Sequence, residues 1–219
     1  MKRSRISIGA FVILPVVFLA GVITGSSSQS SSTASTGSFT QLYICGTSGK
    51  EICKVGAVGP GGGTIFFVDY HNVYTGFHYL EVAPSDWAGS GVTDPTSPWC
   101  SNITTKIETE LTAWSSRGLG VGLSNTDIML KNCTSGAANL IAVYNASPLA
   151  KKRDWFLPSI GGLMLISQNL QGLAGMLDSE YWSSSGYSNI GGWVQSMGHG
   201  YQGNATKDSL YHVRPVRRF

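Results

Sequence analysis

Lys151-Lys152-Arg153 is the one basic run in the chain beyond its N-terminus, and Lys207, Arg214, Arg217 and Arg218 follow it in the same C-terminal half. Cations brought to one face can capture sulfate or carboxylate, and arginine does so through two parallel hydrogen bonds. The competing arrangement is a solvated loop at 151–153 with the terminal arginines paired to carboxylates such as Asp154, Asp178 and Glu180. Tyr187 and Tyr201 stand among Gly and Ser, as at loop tips, where a ring can lie against the C–H face of a pyranose. Trp155, Trp182 and Trp193 stand in strand-like segments, where aromatics mostly fill the core, and are read as core residues. The candidate ligand-binding set is therefore Lys151, Lys152, Arg153, Tyr187, Tyr201, Lys207 and Arg214.

Other chemistries find no pattern. There is no G-x-S-x-G, and any pairing of a serine with His71, His78, His199 or His212 would be arbitrary, so no catalytic residues are assigned. Those histidines show no H-x-x-x-H or H-E-x-x-H spacing, and Asp86, Asp94 and Asn102 do not follow a calcium-loop pattern. The glycines of Gly59-Pro60-Gly61-Gly62-Gly63 lead to no G-K-[ST] and read as turn residues, not a phosphate cradle. No metal and no cofactor is expected.

Cys45, Cys53, Cys100 and Cys133 form an even set without a C-x-x-C pair, which points to disulfides in an oxidising compartment. Three pairings are open. The favoured one is Cys45–Cys53 as a local clip with Cys100–Cys133 closing a loop of about thirty residues. N-x-[ST] sequons stand at Asn102, Asn132, Asn145 and Asn204.

These residues have to be carried outside the cytoplasm, and the N-terminus is built for that. Lys2, Arg3 and Arg5 precede an apolar run from Ile6 to Thr24, longer than most signal-peptide cores, shorter than most spanning helices, and followed by no A-x-A site. Residues 1–25 are read as either a cleaved signal peptide or a retained anchor, which would be the chain's one contact with a membrane. Ser26 to Ser38 is a Ser-rich flexible linker, and 39–219 is a single extracellular domain. The formal charge of +3 comes from Lys2, Arg3 and Arg5, which leaves twelve basic residues against twelve acidic ones. Without a long-range positive field, nucleic acid is excluded as a partner.

The elements follow from periodicity. Thr64–Tyr70 reads as a buried strand with Phe77–Ala83 as its hairpin partner, and Ser85–Cys100 as a long loop pinned by Trp87, Trp99 and Cys100. Helical patterns cover Thr105–Trp114, Asn125–Lys131 and Gly136–Tyr144, with a fourth at Gly161–Leu177 capped by Ser159. A short strand is expected at Asp154–Ser159. Tyr181–Ser185, Gly192–Gly198 and Tyr211–Phe219 read as an antiparallel meander, giving an α+β domain with several short helices and long loops.

GPGGGTIFFVD with HYLEVAPSDW, then DWFLPS, then YWSSS with the terminal YHVRPVRRF resemble the Lcl C-terminal domain family, over roughly Val55 to Phe219. The resemblance implies an extracellular bacterial domain, distantly C-type lectin-like. Its partner would be a glycan or surface polymer, sulfated in the family's named collagen-like adhesin. Ile160-Gly161-Gly162-Leu163 replaces the charged helix start usual in the family, and no collagen-like repeat is present. The function expected is adhesive binding at the cell surface; self-association as a filament or layer subunit is the second expectation.

Overall fold

Thr64–Val68 (β3) is apolar from Ile65 onward because both of its faces are covered. Ile65 packs with the Cys45/Cys53 pair and Tyr79, while Phe66 turns to the opposite side against Leu80, Leu163 and Ile166. In this computed structural model the described residues are 44–45, 49–107, 109 and 118–219. The signal or anchor segment 1–25, the linker 26–38 and most of the helix expected over Thr105–Trp114 lie outside them.

Ile44–Cys45 (β1) and Glu51–Ile52 (β2) form a small antiparallel pair closed by the Cys45–Cys53 disulfide. Tyr79–Val82 (β4) is the antiparallel partner of β3, with a register shift between Ile65 and Phe67. On the far side of β4 lies Val216–Arg218 (β10), so this sheet has the order β10-β4-β3. The second sheet has the order β5-β9-β6-β7-β8, from Thr96–Ser97 (β5), Glu180–Gly186 (β6), Gly191–Ser196 (β7), Gln202–Thr206 (β8) and Tyr211–His212 (β9). Three helices complete the described residues: Gly122–Asn132 (α1), Ala137–Ala146 (α2) and Ile160–Asn169 (α3). The fold is α+β.

The C-terminal meander differs from its expected form. Its third strand is Gln202–Thr206, a polar stretch without the apolar alternation that marks a strand. The segment 211–219 is instead divided: Tyr211–His212 joins the second sheet, with Tyr181 and His212 paired in parallel, while 216–218 crosses to the first sheet. Pro215 sits between the two parts and cannot donate a ladder hydrogen bond. The strand expected at Asp154–Ser159 is reduced to one bridge, Phe156 to Val216. The helix begun at Ser159, whose hydroxyl accepts from Gly162 N at 3.2 Å, stops at Asn169, short of Leu177. Gly172 at φ +75° and Gly175 at φ +59° hold the following chain in left-handed turns that no helix can pass through.

Ser183, Ser184 and Ser185 show how a polar strand is buried at the centre of a sheet. The Ser183 hydroxyl donates to Trp193 O, Asn125 Nδ2 donates to Ser184 Oγ, and Ile160 N donates to Ser185 Oγ. Each hydroxyl is satisfied, so the desolvation cost of burying it is offset. Trp99 and Trp182 fill the core around them, each with its indole N–H on a carbonyl, Ser183 O and Ser97 O respectively. Cys100–Cys133 ties the long loop to the end of α1. Trp155 is buried with them, whereas Trp193 is only half-buried and meets Tyr187 edge-on at 5.3 Å.

Candidate functional site

The cations do not converge. Lys207 is fully buried, donates to Thr105 O at 2.9 Å and Asn189 O at 2.8 Å, and lies over the Trp99 ring. Arg214 is also interior, with Nε on Asp94 at 2.6 Å and further donors on Ala83 O, Ala174 O and Gly175 O. Both are candidate ligand residues by sequence, and both instead donate inward, Lys207 to backbone carbonyls and Arg214 to carbonyls and the Asp94 carboxylate. Arg217 pairs with Asp154 and with Glu81, which is completely buried. Nothing in the sequence marks Asp94 and Glu81 as the partners, because each stands far from its arginine.

The two tyrosines are exposed but separate. Tyr187 lies in the turn between β6 and β7, and Tyr201 in the turn between β7 and β8, at opposite ends of a six-residue strand. At a rise of about 3.3 Å per residue, they are too far apart to share one sugar. Tyr201 donates its hydroxyl to Glu180 Oε1 at 3.0 Å.

Lys151, Lys152 and Arg153 are exposed in the loop after α2, and Lys151 alone enters a hollow of about 320 Å³. The Lys151 side chain lies against the glycine turn, where the Glu81 carboxylate accepts from Gly61 N at 2.9 Å and from Gly63 N at 3.2 Å. A Cβ at Gly61 would stand 2.6 Å from Trp155 Cζ2 and 2.7 Å from Glu81 Oε1, so only glycine lets the turn seat so low. Burial pushes the Glu81 carboxyl up, against the lowering influence of Arg217 and of the Gly61 and Gly63 amides.

Asp86, Trp87 and Tyr144 complete the hollow. Trp87 and Tyr144 meet edge to face at 5.3 Å, and Tyr144 leans on Trp155 behind it. Tyr144 is 5 % exposed as a whole residue, and it lines the hollow with a hydroxyl that has no hydrogen-bond partner among the described residues. Burial raises its pKa, as do the nearby carboxylates Asp86 and Glu81, so it stays a neutral O–H donor. A free hydroxyl, a carboxylate, an ammonium and two aromatic walls make a set of donors and acceptors suited to a hydroxylated ligand.

A larger groove of about 520 Å³ runs between the end of α3 and the β7–β8 turn, floored by Leu170, Met176 and Met197 with His199 and Asp178 at its mouth. None of its lining side chains is both polar and buried, so it offers shape without fixed chemistry. The hollow at Tyr144 is the better-built site.

No protein-family model matches the chain, and no curated protein matches its sequence. Its fold resembles that of a solved fimbrial protein from Bacteroides ovatus. That likeness has a TM-score of 0.50 at 14% sequence identity and covers 82% of this chain and 49% of the fimbrial chain. This chain thus spans about half the length of that protein.

Proposed function

We propose that the chain is an exported surface module, adhesive and non-catalytic, that binds a hydroxylated partner, a glycan or similar surface polymer, in the hollow beside Tyr144. The observation that carries this reading is the Tyr144 side chain, packed into the core except where it lines a cavity that also holds Asp86, Trp87 and Lys151, with no hydrogen bond to its hydroxyl among the described residues. A ligand hydroxyl could take the place of the water that this donor otherwise meets in the hollow. Export is supported by the charged and apolar N-terminus and by the two disulfides, which persist in oxidising compartments.

The resemblance to the Lcl C-terminal domain family points the same way. Two of its motif segments, GPGGG and HYLEVAPSDW, contribute Gly61, Gly62, Pro84, Asp86 and Trp87 to one hollow, and Lys151 lies just ahead of DWFLPS. The test is a glycan array read with the disulfide-intact protein and with Tyr144→Phe. Retention of at least one glycan class that the variant loses supports the reading; an array with no retention sinks it.

A second reading, a filament subunit, is favoured by the likeness in fold to a fimbrial protein. Sedimentation and electron microscopy of the purified chain test it, since a subunit forms ordered assemblies and a free module stays monomeric.

A further inference from the structure

We infer that the Tyr144 hollow is one of two consecutive subsites, divided by Asp86, for adjacent units of an uncharged linear glycan. This rests on the binding reading above. Asp86 lines both the Tyr144 hollow and a second one of about 290 Å³ on its other side. The ridge between them is the turn from Pro84 to Trp87, closed by Trp87 N on Pro84 O at 3.1 Å. It is fixed from below, because the Trp87 indole N–H donates at 2.7 Å to Asp94, which lines the second hollow.

The second hollow is polar and holds no uncompensated cation, since Asp86 and Asp94 line it with Arg214. Arg214 lines it with four of its five N–H donors engaged, and Asp94 neutralises its guanidinium. One Nη2 donor remains, alongside the Ser85 and Thr93 hydroxyls. In the first hollow Lys151 is balanced by Asp86. Each cavity lies near the lower end of ligand-site volumes, about 300–1,000 Å³, which suits one sugar ring better than a chain. The Asp86 carboxylate, placed between them, can accept hydroxyls from both units, and it repels a sulfate or uronate at the junction.

The experiment titrates the disulfide-intact full chain with glucose, galactose, mannose and N-acetylglucosamine, with the homodimers and homotrimers of each, and with chondroitin sulfate. For the sugar that binds, the dimer is expected to bind about tenfold tighter than the monomer, with little further gain in the trimer. Thr93→Trp, which fills the second hollow, should lower the dimer to the affinity of the monomer and leave the monomer unchanged. Equal affinity for monomer and dimer, an unaffected dimer in the Thr93→Trp protein, or tightest binding to chondroitin sulfate would overturn the two-subsite inference alone. If no probe binds, the binding reading falls and this inference with it. Should Thr93→Trp fail to fold by thermal melting, the dimer-to-monomer ratio of the native chain decides.

Discussion

Arg217 stands directly opposite Glu81 in the β10–β4 ladder, and its Nη1 reaches the Glu81 carboxylate at 2.9 Å beneath the glycine turn. Glu81 is fully buried, so its charge depends on that guanidinium and on two backbone amides. Arg217→Met should therefore cost about 3–5 kcal/mol, the usual penalty for stranding one member of a buried pair. Adding Glu81→Gln should recover a large part of it. Urea unfolding of the single and double variants measures both; an equal loss in each would show that the ladder pairing, not the charge, carries the stability.

Tyr144→Phe is expected to leave stability within about 0.5 kcal/mol of the native chain, because the hydroxyl has no protein hydrogen bond to lose. Binding of a retained glycan should weaken about fivefold to tenfold. Lys151→Ala should weaken it too, whereas Lys152→Ala with Arg153→Ala should not, since only Lys151 lines the hollow. Calorimetric titration beside thermal melts separates the two effects.

Removing the Cys100–Cys133 bridge as a Cys100→Ala, Cys133→Ala pair should cost about 3–4 kcal/mol by the chain-entropy model for a loop of this length. The bridge also holds the long loop whose turn carries Asp86 and Trp87, so glycan binding should fall as well. Guanidinium unfolding gives the first quantity, and a variant that loses no stability would contradict the first expectation.

Asp69 accepts from Val73 N at 3.0 Å and Tyr74 N at 2.7 Å. Burial works to raise its pKa, but these amides outweigh burial and hold it below the ordinary 3.8. A depressed folded value means the stabilisation is present above the unfolded pKa and is lost as pH falls through the folded one, a window below about pH 4. Hydrogen-exchange protection of the Val73 and Tyr74 amides should thus drop on acidification through that window. In Asp69→Asn it should be weak and nearly independent of pH.

Where apolar periodicity was strong, the sequence was readable: β3 with its β4 partner, α1, α2, the Ser159 cap and the pairing of both disulfides all stand where residue types place them. Gln202–Thr206 was not readable, because a polar edge strand carries no alternation and its place is set by β7. The same limit governed the site. Lys151 is visible as a surface cation, but Tyr144 looks like any apolar-face helix residue, and its free hydroxyl exists only once Trp87, Gly61 and Lys151 are folded around it. Lys207 and Arg214 resemble surface cations until the carbonyls and the carboxylate that enclose them, distant in sequence, are seen.

Because Gly61 and Gly63 hang from a carboxylate rooted inside the sheet, the wall they form stands finished before anything docks. An incoming partner meets a turn already tied in place, so capture at that wall loses little conformational entropy. Encounter with such a rigid face is then governed by orientation and diffusion, and differences in dwell time, not in arrival, would set how firmly one surface holds another.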